Sequence, residues 1–236
     1  MIPKLRPYQD IAVAEIRTAF REKMKNILLT APARSGKTTV FCYITESAIK
    51  QELKRPPKDG DLSGVLIVAG RRELIKQASN RLKGFSIEHG IIMSGDARSR
   101  PHLKVQVASI QTLRNRPEWM NRFKLIIVDE AHACGSDSYK WLVQNNPNAY
   151  FLGFTATPFR TDGKPLGKIF GKLIKISSVN ELIDLGFLVP YRAFCPFVPD
   201  VSDIKSSKGD YDSAALGEAN SGTPGGTSAF GTRTTS

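Results

Sequence analysis

The sequence predicts an α/β fold, a single domain built on a parallel sheet with helices on both faces, and three observations predict it. Short, continuously apolar runs that read as buried strands alternate with segments that are apolar at helical spacing. Between Asn26 and Thr39 a strand, a tight loop and a helix start follow one another in the order a phosphate-binding loop requires. Polar clusters follow three of the apolar runs, at the carboxyl ends of strands, where an open α/β sheet takes its ligand.

Pro3 and Pro7 disfavour regular helix before Gln9, and Ile11, Ala14, Ile16, Ala19 and Phe20 predict an amphipathic helix from Gln9 to Phe20. Asn26-Ile27-Leu28-Leu29 reads as a buried strand. Val40, Phe41, Ile44 and Ala48 predict the helix after it, running to about Leu53. Residues 54–61, dense in Pro, Gly and charge, form a loop. Val65–Ala69 is a strand, and Leu74, Ala78 and Leu82, every fourth residue, mark the next helix. Short strands are expected at Ile87 and Ile91–Met93, and another from Val105 to Ala108. Leu125-Ile126-Ile127-Val128 is the most apolar strand, followed by a short helix around Tyr139–Val143 and a strand at Tyr150–Phe154. Leu173–Ile176 and a helix at about Val179–Leu185 complete the ordered part. From about Asn220 large apolar residues almost vanish, which predicts a flexible tail. A natural disordered end and a frameshifted, foreign ending both fit that stretch.

With 41% apolar residues, the 236-residue chain has enough to pack a core. Lys and Arg number 34 against 22 Asp and Glu, and the net charge of +12 points to a polyanionic partner, nucleic acid first. Cys42, Cys134 and Cys195 are widely spaced with no C-x-x-C pair, which argues against a disulfide framework or zinc site and for reduced thiols. No apolar run has the length of a membrane span, and the start lacks the apolar core of a signal peptide. A cytoplasmic protein without membrane partners is expected.

In the loop Thr30-Ala31-Pro32-Ala33-Arg34-Ser35-Gly36-Lys37-Thr38-Thr39, backbone N–H groups and the helix N-terminus face one spot and suit phosphate oxygens. Arg34, Ser35, Gly36, Lys37, Thr38 and Thr39 are therefore the expected nucleotide-binding set. Lys37 is placed to reach the β- and γ-phosphates, and the Thr38 hydroxyl to ligate Mg²⁺. Ala31 stands where the pattern has its first Gly. Farther on, Asp129-Glu130-Ala131-His132 closes the strand Leu125–Val128. A carboxylate there, Asp129, suits Mg²⁺ beside the phosphates, and the next one, Glu130, suits polarising an attacking water. ATP and Mg²⁺ are the expected cofactors, with Lys37 and Glu130 as the catalytic pair.

These motifs together resemble the superfamily 2 helicases, and among them the DEAH-type bacterial and phage group that includes RadD-like proteins and type I and III restriction motors. Leu5-Arg6-Pro7-Tyr8-Gln9 resembles the Q-type segment, which implies that Gln9 reads the adenine edge while a neighbour stacks on the ring. Ala31–Thr38 is similar to motif I, in which Ala commonly replaces the first Gly. Arg34 departs from that motif, which usually has Gly there. Ala69–Leu74 resembles motif Ia, implying backbone contacts to nucleic acid from Arg71 and Arg72. Val107–Leu113 is similar to the motif Ib/Ic region, implying the same for Ser109, Gln111 and Thr112. Each of these five also has a plain reading as a solvated or strand-capping residue. Thr155-Ala156-Thr157-Pro158 resembles motif III, implying that Thr155 and Thr157, with His132, link nucleotide state to nucleic-acid grip.

The resemblance covers about residues 1–215, through Phe159–Lys164 and Glu181–Pro190. It implies that residues 1–190 are a RecA-like, ATP-binding N-terminal domain of a DNA helicase or translocase, with RNA not excluded. Residues 191–216 then form a connector toward a second RecA-like domain that the sequence lacks, and 217–236 the tail. Two further readings are open. One is a catalytically inactive module that grips nucleic acid or a partner; the other is an ATPase subunit, as in a restriction complex, with a second chain supplying the arginine finger.

Overall fold

The computed structural model describes residues 4–54, 58, 61–134, 137–157, 170–190, 206–207 and 210–211. The chain divides into two compact units, Met1–Pro190 and Tyr191–Ser236. In the second unit Ser206–Ser207 and Asp210–Tyr211 pair antiparallel. The expected tail, most of the expected connector and the segment Pro158–Lys164 lie outside the described residues.

The first unit carries helices α1 (Pro7–Arg21), α2 (Lys37–Lys54), α3 (Arg72–Gly84), α4 (Ile110–Arg114), α5 (Asp137–Gln144) and α6 (Val179–Asp184). Its strands are β1 (Asn26–Thr30), β2 (Val65–Ala69), β3 (Gly90–Ile92), β4 (Val105–Ser109), β5 (Leu125–Val128), β6 (Tyr150–Thr155) and β7 (Lys172–Lys175). They form one seven-stranded sheet in the order β3-β4-β2-β5-β6-β1-β7, with every pairing parallel.

Strand alternation sorts the core into two layers. Ile27, Leu29, Ile67, Ile127 and Phe154 face α1, α2 and α3, while Leu28, Leu66, Ile126, Val128 and Phe151 face α4 and α5. Both faces are thus buried, which is why the strands read as continuous apolar runs.

Several element ends differ from the sequence reading. Helix α1 begins at Pro7 rather than Gln9, because proline is tolerated at the first helical position, where its missing N–H is unused. Ile87 is not in a strand. Ser86 turns at φ +56° and the Ile87 N–H donates to Leu82 O, so this residue closes α3. The last strand ends at Lys175, one residue short of Ile176.

Because β6 lies between β1 and β5, the loops leaving these three strands stand side by side at one edge of the sheet. Gly153 in β6 allows the close packing there. A Cβ on it would lie 2.6 Å from Phe170 and 3.0 Å from the Ala131 side chain. The turn Ala131–Cys134 therefore sits directly on β6 and presents His132 to its end.

Candidate functional site

The loop after β1 is tied to its neighbour strand, the Ala31 N–H donating to Thr155 O at 3.0 Å. Ala31 is buried and does not have a positive φ, so nothing in the backbone demands glycine there. The departure from the phosphate-loop pattern is conformationally neutral. Arg34 is different: it holds φ +63°, the left-handed region that favours glycine. A side chain there costs about 1–3 kcal/mol. Lys37 points its Nζ back into the loop, donating to Ala31 O at 3.2 Å. The Ser35 hydroxyl is buried without a hydrogen-bond partner among the described residues.

The N-terminal segment packs directly on this loop. Tyr8 OH and Gln9 Nε2 both donate to Ser35 O, at 2.9 and 3.0 Å, and Gln9 Oε1 accepts from the Arg6 N–H at 3.0 Å. A Cβ on Gly36 would sit 2.4 Å from Gln9 Nε2, and Gly36 has φ +87°, so glycine is required twice over. Gln9 is buried, with one remaining amide proton and one remaining lone pair to offer a ligand. Phe187, to which sequence reasoning gave no role, closes this corner. Arg6 lies 4.8 Å over its ring, and Tyr8 meets it edge-on at 5.2 Å. The only signal in the sequence was an aromatic residue following Gly186, 181 positions after Arg6.

Asp129 and Glu130 leave the end of β5. Burial, with the Glu130 charge second, pushes the Asp129 carboxyl above its ordinary range; the Glu130 N–H, Lys37 and His132 pull the other way. Asp129 Oδ1 accepts that N–H at 3.0 Å. Glu130 itself holds φ +51°. His132 Nδ1 lies 3.2 Å from Glu130 Oε2 and 3.1 Å from Thr155 Oγ1. The Thr155 hydroxyl donates to Thr157 O at 2.7 Å and accepts from the Thr157 N–H at 3.2 Å. With its own proton committed, it accepts from His132, which assigns the imidazole proton to Nδ1.

A buried carboxyl with a raised pKa, within reach of the Lys37 charge and accepting only the Glu130 N–H, suits a divalent cation that would offset its burial. Among the described residues no group of three or more His, Cys, Asp or Glu side chains is arranged to hold a metal.

Four of the five expected nucleic-acid residues meet in a second cluster, at the ends of β2, β3 and β4. Arg72 Nη2 donates to Ser94 O (3.1 Å), and the Ser94 N–H donates to Thr112 Oγ1 (3.3 Å). Gln111 Nε2 donates to Gly70 O (3.2 Å), and its Oε1 accepts from Ser109 Oγ (2.7 Å). Arg71, exposed, precedes the first turn of α3. Sequence reasoning missed the loop after β3. There Arg98 holds Asp96 through two side-chain bonds of 2.9 and 2.6 Å, which keeps the Asp96 carboxyl down at about 2.

A cleft of about 580 Å³ borders the phosphate loop, lined by Arg34, Lys37 and Thr38 on one side and Gln77, Asn80 and Arg81 of α3 on the other. A larger one, about 930 Å³, lies between α1 and α2 around Arg17 and Tyr43 and touches no phosphate-loop residue. The chemistry, rather than the volume, singles out the smaller cleft, which holds the phosphate-loop residues Arg34, Gly36, Lys37 and Thr38, as part of the candidate site. Among the described residues no helix is long and apolar enough to cross a membrane.

Residues 2–160 match the family described as type III restriction enzyme, res subunit. The chain is 28% identical over 225 residues to a putative ATP-dependent helicase, IRC3, of Saccharomyces cerevisiae, covering 91% of this chain and 32% of that one. It is 32% identical over 185 residues to the DNA 3'-5' translocase XPB2 of Sulfurisphaera tokodaii, covering 76% and 37%. Its fold matches the crystal structure of the UvsW helicase from bacteriophage T4, with a TM-score of 0.58 at 18% identity over 73% of this chain and 60% of that one. The chain thus spans about a third of the length of the two curated relatives.

Proposed function

The chain belongs to the family of the type III restriction enzyme res subunit, and from that membership we propose that residues 1–190 are the ATP-binding, RecA-like domain of a superfamily 2 DNA helicase or translocase. The observation that carries this reading is the convergence of the Lys37 loop, the Asp129–Glu130 pair and the Thr155 strand end on adjacent strands. The names of IRC3 and XPB2 support ATP as fuel and DNA as track; both relatives are about three times as long as the stretch matched.

In this reading Lys37 and the loop N–H groups hold the β- and γ-phosphates, and Gln9 and the Arg6–Phe187 pair hold adenine. Asp129 and Thr38 hold the Mg²⁺ that neutralises the phosphate oxygens. Glu130 orients a water and takes its proton as the water oxygen bonds to the γ-phosphorus and the bond to the β–γ bridging oxygen breaks, releasing ADP and phosphate. His132 fixes the Glu130 carboxylate through its Nδ1–H and shares that proton with Thr155, so β6 senses the occupancy of the site. Arg71, Arg72, Ser109, Gln111 and Thr112 grip the DNA backbone. A second RecA-like lobe, from the same protein or another chain, supplies the arginine that speeds such transfers by about 10³–10⁵. Widely spaced cysteines support a reducing, cytoplasmic setting.

The test pairs two variants of the 236-residue chain. Lys37→Ala is expected to abolish ATP binding, while Glu130→Gln keeps binding and removes turnover, read with and without DNA. Equal loss of binding in both variants would count against the assigned roles.

A further inference from the structure

The phosphate loop has a cationic neighbour that belongs to none of the motifs. Arg81 lies on α3, nine residues beyond Arg72, and its Nη2 donates to Thr39 Oγ1 at 3.3 Å. Its guanidinium therefore rests on the first turn of α2, next to the loop that cradles the phosphates. Thr39 is also 3.8 Å from the Cβ position of Gly36, the point where Gln9 touches the loop. Arg81, Thr39, Gly36 and Gln9 are thus successive neighbours along one side of the loop.

The cleft between α2 and α3 has Arg34, Lys37 and Arg81 around it, with the amides of Gln77 and Asn80, and no carboxylate in its lining. Three cations converging without a counter-charge are mutually repulsive, and an anion among them offsets that repulsion. Arg34, held in the left-handed region at φ +63°, lines the same space.

We propose that Arg81 is a nucleotide-binding residue that contacts the α-phosphate end of the bound nucleotide across this cleft. The inference rests on the nucleotide-site reading above. Lys37 serves the β- and γ-phosphates, and Thr39, in the first turn of α2 and near the Gly36 position that Gln9 also approaches, marks the end nearer the base. Arg81 is exposed apart from its Thr39 contact, so its planar donor fork is free to turn toward an oxyanion. The placement also gives α3 two tasks. Arg72 at its start belongs to the expected nucleic-acid cluster, and Arg81, about 13 Å along the same rigid rod, belongs to the nucleotide.

The experiment measures affinities of ATP and ADP for the full chain by competition against a fluorescent ATP analogue. Arg81→Ala is expected to weaken ATP and ADP alike, by about tenfold, with the melting temperature of the ligand-free protein unchanged. Arg81→Lys restores part of the affinity. Lys76→Ala, which removes the same charge from an exposed residue of α3 outside the cleft, leaves both affinities within about twofold. Unchanged binding in Arg81→Ala, or an equal loss in Lys76→Ala, overturns the proposal while the nucleotide reading stands. A wild-type chain that binds no nucleotide overturns both.

Discussion

His132 Nδ1 and Thr155 Oγ1 lie 3.1 Å apart, joining the turn after β5 to the end of β6. The hydroxyl serves three partners: it accepts from His132 and from the Thr157 N–H, and donates to Thr157 O. Valine has the same shape and none of these bonds. Thr155→Val is expected to cost about 1–2 kcal/mol of stability and to leave ATP affinity within about twofold, because no phosphate contact is lost. DNA-stimulated turnover should fall by about tenfold or more. Steady-state assays with and without DNA check this, and undiminished stimulation would remove Thr155 from the coupling path.

Gly36 faces Gln9 at a distance no methyl group can share. Gly36→Ala is therefore expected to destabilise the protein by about 2 kcal/mol or more, from the clash and from the positive φ together. In the Gln9→Ala background only the clash disappears, so the two substitutions should cost less together than the sum of each alone. Urea unfolding of the four proteins measures the difference, and strict additivity would contradict the contact.

Asp129 carries a carboxyl whose folded pKa is raised by burial. The native state then binds its proton more tightly than the unfolded chain does. Stability of the ligand-free protein consequently falls as pH rises from the unfolded value, near 3.8, through the raised folded value. Asp129→Asn removes this penalty and should raise the melting temperature at pH 7 without ligand. It should also abolish the further rise that Mg²⁺ with ATP gives the wild type. Thermal unfolding with and without both ligands tests the two signs independently.

Phe187 holds Arg6 and Tyr8 together. Truncating this half-buried ring to alanine is expected to cost about 2 kcal/mol and to weaken ATP by about fivefold. Inorganic tripolyphosphate, which has no base, should bind Phe187→Ala as it binds the wild type. A proportional loss for both ligands would reduce Phe187 to a packing residue.

The main elements and the phosphate loop were legible because the relevant information is local. A buried strand, a Gly-Lys-Thr turn and an apolar helix face all fall within the twenty residues from Asn26, and Asp129-Glu130 directly follows its strand. Alternation between fully apolar strands and helices gave the parallel sheet for the same reason. What stayed hidden depends on distant partners. The need for glycine at residue 36 comes partly from Gln9, the position of Arg6 from Phe187, and the placement of Arg81 from Thr39. Ile87 misled because a β-branched residue after a helix reads as a strand, whereas the left-handed Ser86 turns it back to cap α3. Pro7 misled in the opposite sense, since a proline that forbids a helix interior also opens a helix well.

The sheet order has a further consequence for how the protein comes off the ribosome. Strand β1 pairs with β6 on one side and β7 on the other, through partners such as Thr30 with Thr155 and Leu29 with Ile174. Neither neighbour exists until well over a hundred more residues have been translated, on the order of ten seconds at ordinary elongation rates. During that interval the nascent chain carries every residue of the phosphate loop but no lattice on which to hang it. ATP can therefore act as a late ligand that rewards completion of the sheet, and not as an early template that guides it.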